Sequence, residues 1–220
     1  MKRSYDHLIL FILHYCLITL ALISSVAFAQ IKADPNAPSN QRPTILLAPN
    51  GTPVVNIQTP SAAGVSRNAF KEFDINSNGA IVNNSRSDKQ TQLGGWIQGN
   101  PWLASGSARI ILNEINSSDP CYLNGWVETA GDRAQLVIAN PAGIQCNGCG
   151  FINANKVTLT TGTPIVNSGS LEGYRQTSGN VRIEGLGLDA RQTDALNIIT
   201  RSAEINAGIW AQKQIGRAHV

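Results

Sequence analysis

The chain has 220 residues, of which 42 % are hydrophobic, 6 % are aromatic and only 14 % are charged. Ordinary soluble domains carry about a quarter charged residues, and disordered chains are richer in charge and poorer in apolar residues. The composition therefore excludes a disordered chain and a Lys/Glu-rich helical bundle. The 17 basic and 14 acidic residues give a net charge of +3 without a basic cluster, so we expect no nucleic-acid partner.

Residues 1–29 have the pattern of a signal peptide. Lys2 and Arg3 precede a mostly apolar run over residues 8–23, and Ala-Phe-Ala at 27–29 supplies the small residues of a cleavage site. The run is short for a membrane-spanning helix, which needs about 20 apolar residues. We predict cleavage after Ala29, with an uncleaved anchor as the alternative.

Residues 30–60 are rich in proline and are predicted to form an extended N-terminal cap. Proline removes a backbone donor and breaks helices, so this segment cannot be helical inside. Its prolines are Pro35, Pro38, Pro43, Pro49, Pro53 and Pro60.

Residues 61–214 show short apolar runs separated by Asn, Gly and Ser, and no helical period persists there. The strands predicted in the mature chain lie at 45–48, 54–57, 80–83, 108–115, 125–129, 135–139, 156–160, 165–166, 181–184, 195–200 and 203–206. Short strands with Asn and Gly corners favour an all-β parallel solenoid. A β-sandwich is the main alternative, although its strands are normally longer and alternating.

Two echoes suggest that one structural unit is reused. Residues 81–85 resemble 165–168, and residues 151–154 resemble 204–207. Each echo is a short apolar strand followed by asparagine, which tolerates the left-handed backbone of a sharp corner. Asparagines at the same position of successive coils can also bond to one another.

Histidine and cysteine limit the chemistry. His7 and His14 leave with the signal peptide, and His219 lies in the last residues, so catalytic triads and two-His zinc motifs are excluded.

Cys146 and Cys149 form a C-x-x-C motif, for which a zinc site, a redox pair and a structural disulfide are the competing interpretations. An exported chain favours the disulfide, and Cys121 is then left as a free thiol or an intermolecular link. We expect no metal and no cofactor.

The last six residues, 215–220, resemble a translated sequencing adapter. We therefore expect a non-native tail there, with a genuine C-terminus as the alternative.

Four stretches between residues 64 and 162 carry a specific likeness to a known family. They are residues 64–73, 93–103, 138–144 and 146–153. The second stretch ends in the motif Asn100, Pro101, Trp102 and Leu103, and the third contains the motif Asn140, Pro141, Ala142, Gly143 and Ile144. They resemble the two-partner-secretion, or haemagglutination-activity, domain at the N-terminus of filamentous haemagglutinins and contact-dependent growth-inhibition toxins. Trp102 and Ala142 each replace the second Asn of a family N-P-N motif.

The resemblance implies a right-handed parallel β-helix with an N-terminal cap and extra-helical β elements. It also implies a function without catalysis: the domain addresses a large exoprotein to an outer-membrane transporter, whose periplasmic POTRA domains capture it, and then nucleates folding at the surface of a Gram-negative cell. The two Asn-Pro motifs are the expected recognition residues. Contact with host or neighbouring cells is expected from the part of the exoprotein beyond this chain.

Two other functions remain open. A β-helical polysaccharide lyase or hydrolase needs clustered carboxylates, whereas pairs such as Asp132-Arg133 and Asp189 with Arg191 look like turn residues. A glycan-binding adhesin needs an exposed aromatic face. The candidate aromatic residues, which we expect to be buried, are Trp96, Trp102, Tyr122 and Trp126.

Overall fold

The computed structural model describes residues 30–176, 178–212 and 214–218, with residues 176 and 214–218 described by their backbone alone. The strands in these ranges are β1 (Ile31–Ala33), β2 (Thr44–Leu47), β3 (Pro53–Asn56), β4 (Val65–Phe73), β5 (Ala80–Asn84), β6 (Lys89–Thr91), β7 (Gly95–Ile97), β8 (Ile110–Ile115), β9 (Cys121–Leu123), β10 (Trp126–Gly131), β11 (Ala134–Ala139), β12 (Ile144–Ile152), β13 (Ala154–Thr160), β14 (Gly162–Asn167), β15 (Ser170–Gln176), β16 (Asn180–Ala190), β17 (Ala195–Thr200), β18 (Ser202–Ile205), β19 (Ile209–Ala211) and β20 (Gln214–Ala218). Short 3-10 turns occupy Ser39–Gln41 and Pro101–Leu103.

The chain winds as a parallel β-helix, which confirms the predicted fold class. One sheet has the order β1-β4-β8-β11-β13-β17-β20, and the second runs β18-β16-β12-β10-β5-β3-β2. From β3 to β5 and from β10 to β13 successive strands alternate between the two sheets, and parallel neighbours in a sheet belong to successive turns of the chain. Each coil therefore pairs with the coil before it, as expected of a solenoid.

Two long strands, β12 and β16, bend midway, and each half pairs with a different strand of a neighbouring coil. The first part of β12 pairs with β9, and its last part pairs with β10. The same division recurs one coil later, where β16 pairs with β18 and then with β19. The register between β12 and β16 shifts at residues 147–149, where the chain bends from one face to the next.

Antiparallel strands border both sheets at the N-terminal end. β1 pairs antiparallel with β4, and β2 pairs antiparallel with β3. β3 itself pairs in parallel with β5, so parallel stacking already begins inside the proline-rich segment. The domain boundary at residue 60 stays a prediction.

The core is a stack of aliphatic side chains held in register. Ile111 pairs with Leu136, Leu136 with Val157, and Val157 with Leu196. All four are completely buried. Burying a side chain of this size stabilises by about 1.5–3 kcal/mol, so every additional coil adds its own increment.

Asparagine plays the two roles expected from the sequence. Asn83 Nδ2 donates to Asn56 Oδ1 of the preceding coil at 2.8 Å, which is a stacked pair. Asn153 adopts a left-handed φ of 59° between β12 and β13, and its Nδ2 donates to the Thr129 and Gly131 carbonyls at 2.7 and 3.0 Å. The corner is therefore tied to the coil below it.

One of the two sequence echoes is misleading. Residues 81–85 lie largely in β5 of the parallel helix, whereas residues 165–168 belong to an antiparallel hairpin, β14–β15, outside it. The prediction that both are the same unit is wrong, because Val166 packs on the coils from outside and Ile165 is exposed, so neither enters the core of the helix. A second hairpin, β6–β7, also lies outside the helix.

The predicted signal peptide lies outside the described residues. The suspected tail lies partly outside them, while residues 215–218 belong to β20 and pair with β17. Within the described ranges there is no helix with the length and hydropathy of a membrane span.

Candidate functional site

The first Asn-Pro motif is a turn organised by one buried side chain. Asn100 Oδ1 accepts a hydrogen bond from the Trp102 N–H at 3.0 Å. Its Nδ2 donates to the carbonyls of Ile57 and Asn83 at 2.9 and 3.0 Å. Pro101 takes the first helical position, where its missing N–H costs nothing. Asn100 thus joins the turn to the segment after β3 and to the end of β5.

The second motif repeats this arrangement. Asn140 Oδ1 accepts from the Ala142 N–H at 3.0 Å, and Nδ2 donates to the Asp119 carbonyl at 3.1 Å. Gly143, at φ 133°, donates its N–H back to the Asn140 carbonyl at 3.0 Å. Ile144 then opens β12 with a completely buried side chain.

The shared geometry explains the two departures from the family motif. Trp102 and Ala142 each supply a backbone N–H to the preceding asparagine, so the turn does not depend on their side chains. A large ring and a methyl group are therefore both compatible with it. The tryptophan at position 102 changes the surface of the domain instead, because its side chain is 44 % exposed.

The structure does not bring the two motifs together into one site. Asn100 contacts the end of β5 and the segment after β3. Asn140 contacts the segment before β9 and, through its N–H, the Thr160 carbonyl of β13. Among the described residues no hydrogen bond joins one motif to the other. Leu103 is buried in the core, and Pro101 is exposed. The motifs therefore shape the coils, and their role in recognition stays a prediction.

An exposed apolar groove lies at the N-terminal end of the second sheet. β2 borders this sheet, and its backbone pairs with β3 on one side only. Leu47 is 71 % exposed and Trp96 is 65 % exposed. Trp102 adjoins the strand, since its Nε1 donates to Thr44 Oγ1 at 3.3 Å.

The groove has a volume of about 410 Å³ and contains no charged residue. Its lining residues are Leu46, Leu47, Ala48, Pro49, Val54, Asn56, Trp96, Ile97 and Gln98. We call this set, together with the unpaired side of β2, the β2 groove. An edge strand beside exposed apolar side chains is a typical place for another strand to add.

The expected burial of the aromatic residues is wrong for three of the four. Trp96, Trp102 and Tyr122 are exposed, and only Trp126 is half-buried, with its ring packed over Gly150. Trp96 lies in β7 of the hairpin outside the helix, Trp102 lies in the 3-10 turn, and Tyr122 lies in β9 between the buried Cys121 and Leu123. The sequence held a signal for Trp102, because it follows Asn100-Pro101, which marks a turn.

The three cysteines of the described chain have separate roles. Cys146 and Cys149 form a disulfide across the corner of β12, where Asn147 Oδ1 also accepts from the Leu186 N–H at 3.0 Å. Cys121 is reduced and buried. Burial raises the pKa of the Cys121 thiol to about 12, and in the folded domain this buried position disfavours the alternative of an intermolecular link.

A second cavity of about 300 Å³ lies beside Cys121 and is lined by Glu72, Asp74 and Asp119, among others. Burial raises the pKa of Asp74, although its Oδ1 accepts from the Tyr122 N–H at 2.9 Å. Within the described ranges no group of three His, Cys, Asp or Glu residues is placed to hold a metal ion.

The charged pairs considered for catalysis are structural ties. Asp189 pairs with Arg191, and the guanidinium lowers the pKa of that carboxyl. Asp132 bonds instead to the Ser107 hydroxyl, and Arg133 pairs with Asp194 at 2.8 Å. These carboxylates are not gathered around a common cleft.

Known proteins share this sequence and architecture. The family model for the TPS secretion domain matches residues 29–218. Toxin CdiA of Yersinia pestis is 57 % identical over 197 residues, which are 90 % of this chain and 6 % of that protein. The tRNA nuclease CdiA of Escherichia coli O6:K15:H31 is 47 % identical over 168 residues, or 75 % of this chain and 5 % of the relative.

The crystal structure of a filamentous haemagglutinin secretion domain superimposes with a TM-score of 0.73 at 34 % identity, and covers 81 % of this chain and 58 % of that one. The chain thus spans only about a twentieth of the length of the curated relatives it matches. Since the family model extends over nearly all of the described coils, this chain belongs to the TPS secretion domain family.

Proposed function

We propose that this secretion domain is recognised in the periplasm by the POTRA domains of an outer-membrane transporter, and that it then seeds β-helix folding outside the cell. The observation that carries the proposal is the order of the strands. In the first sheet the order β4-β8-β11-β13-β17-β20 follows the order of the chain. Each coil can therefore fold on the coil that emerged before it, without long loop closures.

The β2 groove is the surface that best fits the transporter. Extended segments often bind by adding to a sheet edge through backbone hydrogen bonds, with side-chain pockets supplying specificity. The unpaired side of β2 supplies the edge, and Leu47 and Trp96 supply apolar contacts. Because capture precedes folding in this proposal, the first contact is made by residues 44–47 in the extended chain, and Trp96 can add to it only once β2 and the β6–β7 hairpin have assembled.

The chain's location follows from the same proposal. Residues 1–29 would direct export to the periplasm, and the transporter would release the protein at the surface or into the medium. For the complete protein we propose a contact-dependent growth-inhibition toxin or an adhesin, whose cell-directed activity lies in regions beyond this domain. We assign no catalysis and no cofactor to the domain itself.

Export with and without the cognate transporter tests the proposal. Cells that produce both proteins should release the chain into the medium, and cells without the transporter, or with its POTRA domains deleted, should retain it. Leu47→Asp should lower release at least fivefold, because it places a charge in the apolar segment 44–47 that is proposed to add to the transporter. Leu186→Asp is the matched control, since Leu186 is exposed elsewhere on the helix. Equal release without the transporter would overturn the proposal.

The Asn-Pro motifs are tested in the same assay. If Asn100-Pro101 and Asn140-Pro141 serve secretion by setting the coil geometry, replacing Pro101 and Pro141 together by Ala should lower the amount of secreted protein. Unchanged export would remove these prolines from the secretion mechanism.

A direct glycan-binding role is the second candidate, and the exposure of Trp96 and Trp102 favours it. Exposed aromatic rings beside polar side chains such as Gln98 can stack on sugars. Cells that display this domain alone would then agglutinate erythrocytes, and Trp96→Ala would abolish the effect. Under the secretion proposal, such cells should not agglutinate.

A further inference from the structure

The β14–β15 hairpin lies outside the helix and ends in a tight turn. Its strands pair antiparallel from Gly162 with Gln176 to Asn167 with Ser170. The two residues between them, Ser168 and Gly169, have positive φ values of 47° and 77°. This is the two-residue turn that matches the twist of a hairpin, so the hairpin has a defined shape of its own.

The inner face of this hairpin covers three successive coils. Val166, Leu171 and Tyr174 pack against a cluster formed by Val65, Leu112, Val137 and Ala139. Those four residues come from β4, β8 and β11, which are adjacent in the first sheet. They are buried residues that lie outside the main core cluster. Without the hairpin, the three coils would expose a continuous apolar strip.

Polar contacts fix the hairpin at both ends. At its tip, Ser61 Oγ donates to the Gly169 carbonyl at 2.7 Å and accepts from the Val65 N–H at 3.2 Å. A Cβ at position 169 would lie 2.8 Å from Ser61 Cβ, so the approach is close. Near its base, Tyr174 bonds to Thr158, and burial raises the pKa of Tyr174 to about 12.

The order of the chain determines when this contact can form. Residues 162–176 follow all of the strands they cover, and the strip exists only once β4, β8 and β11 are stacked. We infer that the hairpin is a strap that closes last over these coils and makes their unfolding slow. The inference rests on the proposed function, in which the chain folds as it emerges, and it adds a step that prevents a folded chain from returning through the pore.

Folding kinetics of the purified chain test the strap without any transporter. A contact made after the transition state affects mainly the unfolding rate. Leu171→Ala should therefore raise the unfolding rate about tenfold and change the refolding rate less than twofold. Ile165→Ala is the matched control, because Ile165 lies on the outer face of the same hairpin and is exposed. It should leave both rates within twofold.

A cross-link provides a second, independent test. In a Ser61→Cys/Gly169→Cys variant the two Cβ atoms are near enough for a disulfide after a small adjustment. Reduction also opens the native Cys146–Cys149 disulfide, so the parent chain is measured in both redox states as well. Oxidation should slow unfolding of the variant at least tenfold more than it slows unfolding of the parent. A slower refolding of Leu171→Ala with an unchanged unfolding rate, or an equal effect of oxidation on variant and parent, would overturn the strap. Either result would leave the export test of the proposed function unaffected.

Discussion

The buried carboxylate of Glu128 holds the extra-helical β6–β7 hairpin by its turn, where the Leu93 N–H donates to Glu128 Oε2 at 2.9 Å. The adjacent Gln92 N–H donates to Oε1 at the same distance. Glu128 is only 5 % exposed and lies in β10, one coil away from the strand that precedes the hairpin. Glu128 thus shares the attachment of this hairpin with Asn50 and Thr52, whose side chains donate to the Leu93 carbonyl at 2.7 and 3.3 Å.

Replacing Glu128 by Ala should destabilise the fold by about 3 kcal/mol, because hydrogen bonds to a charged group contribute about 1.5–3 kcal/mol and two donors lose their acceptor. Urea unfolding at pH 7 measures the change. Glu172→Ala is the control, since Glu172 is exposed on the outer hairpin and its removal should cost less than about 0.5 kcal/mol. Equal effects of the two substitutions would show that Glu128 does not anchor the hairpin.

The two Asn-Pro turns should respond unequally to the same substitution. In Asn100→Asp a carboxylate oxygen replaces the amide that donates to two carbonyls, whereas Asn140→Asp loses one such bond. We expect a loss of about 3 kcal/mol for Asn100→Asp and a smaller loss for Asn140→Asp. Thermal or urea unfolding gives the ranking, with Asn78→Asp in an exposed turn as the neutral control. The reverse ranking would contradict the roles assigned to these side chains.

Cys121 should be silent toward thiol reagents in the folded chain. Burial raises the pKa of its thiol to about 12, so both access and thiolate are lacking at pH 8. In a chain that begins at Gln30 and so lacks Cys16, a chromogenic disulfide reagent should detect no thiol in the native protein and one in urea. Rapid labelling of the native chain would mean that this part of β9 opens readily.

Two aspartates should give opposite pH dependences. Burial raises the pKa of Asp74, so its contribution to stability is present below the unfolded pKa of about 3.9 and is lost as pH rises through the folded value. Asp74→Asn should therefore gain stability relative to the parent chain between pH 3 and pH 7.

Asp189 behaves in the other sense, because Arg191 lowers the pKa of its carboxyl. Its contribution is present above the unfolded pKa and is lost as pH falls through the folded value. Asp189→Asn should lose stability relative to the parent at pH 7, and the difference should shrink on acidification toward pH 2. Unfolding free energies across this range decide both cases, and slopes of the same sign would contradict the assigned causes.

Local patterns in the sequence were sufficient for the coils but not for the pieces attached to them. Ile111, Leu136 and Val157 lie in apolar runs whose short length and polar corners already indicate stacked strands. Ile165 and Val166 show the same local pattern as Ile81 and Val82, yet they end in the strap. The two dipeptides differ in the surface against which they pack in the folded chain. For the hairpin, that surface includes residues up to 108 positions away in the sequence.

The candidate surface was harder to foresee than the fold. The motif asparagines could be identified as turn residues, because an Asn side chain readily accepts from the backbone two residues on. The hydrogen bonds that these asparagine amides donate could not be predicted, because the accepting carbonyls of Ile57 and Asp119 come close only after the coils are stacked. The exposure of Leu47 likewise follows from the position of β2 at the sheet border, and that of Trp96 from the β6–β7 hairpin outside the helix, and no short segment of sequence specifies either.

The corner disulfide has a consequence for the width of the travelling chain. The bond between Cys146 and Cys149 encloses just Asn147 and Gly148. A chain oxidised before export would therefore carry only a small ring, about as wide as one bulky side chain. A cross-link between distant coils would instead force two strands of polypeptide through the opening side by side. If the chain crosses the outer membrane unfolded, as proposed above, this placement allows the finished helix to be cross-linked without blocking passage of a single extended chain.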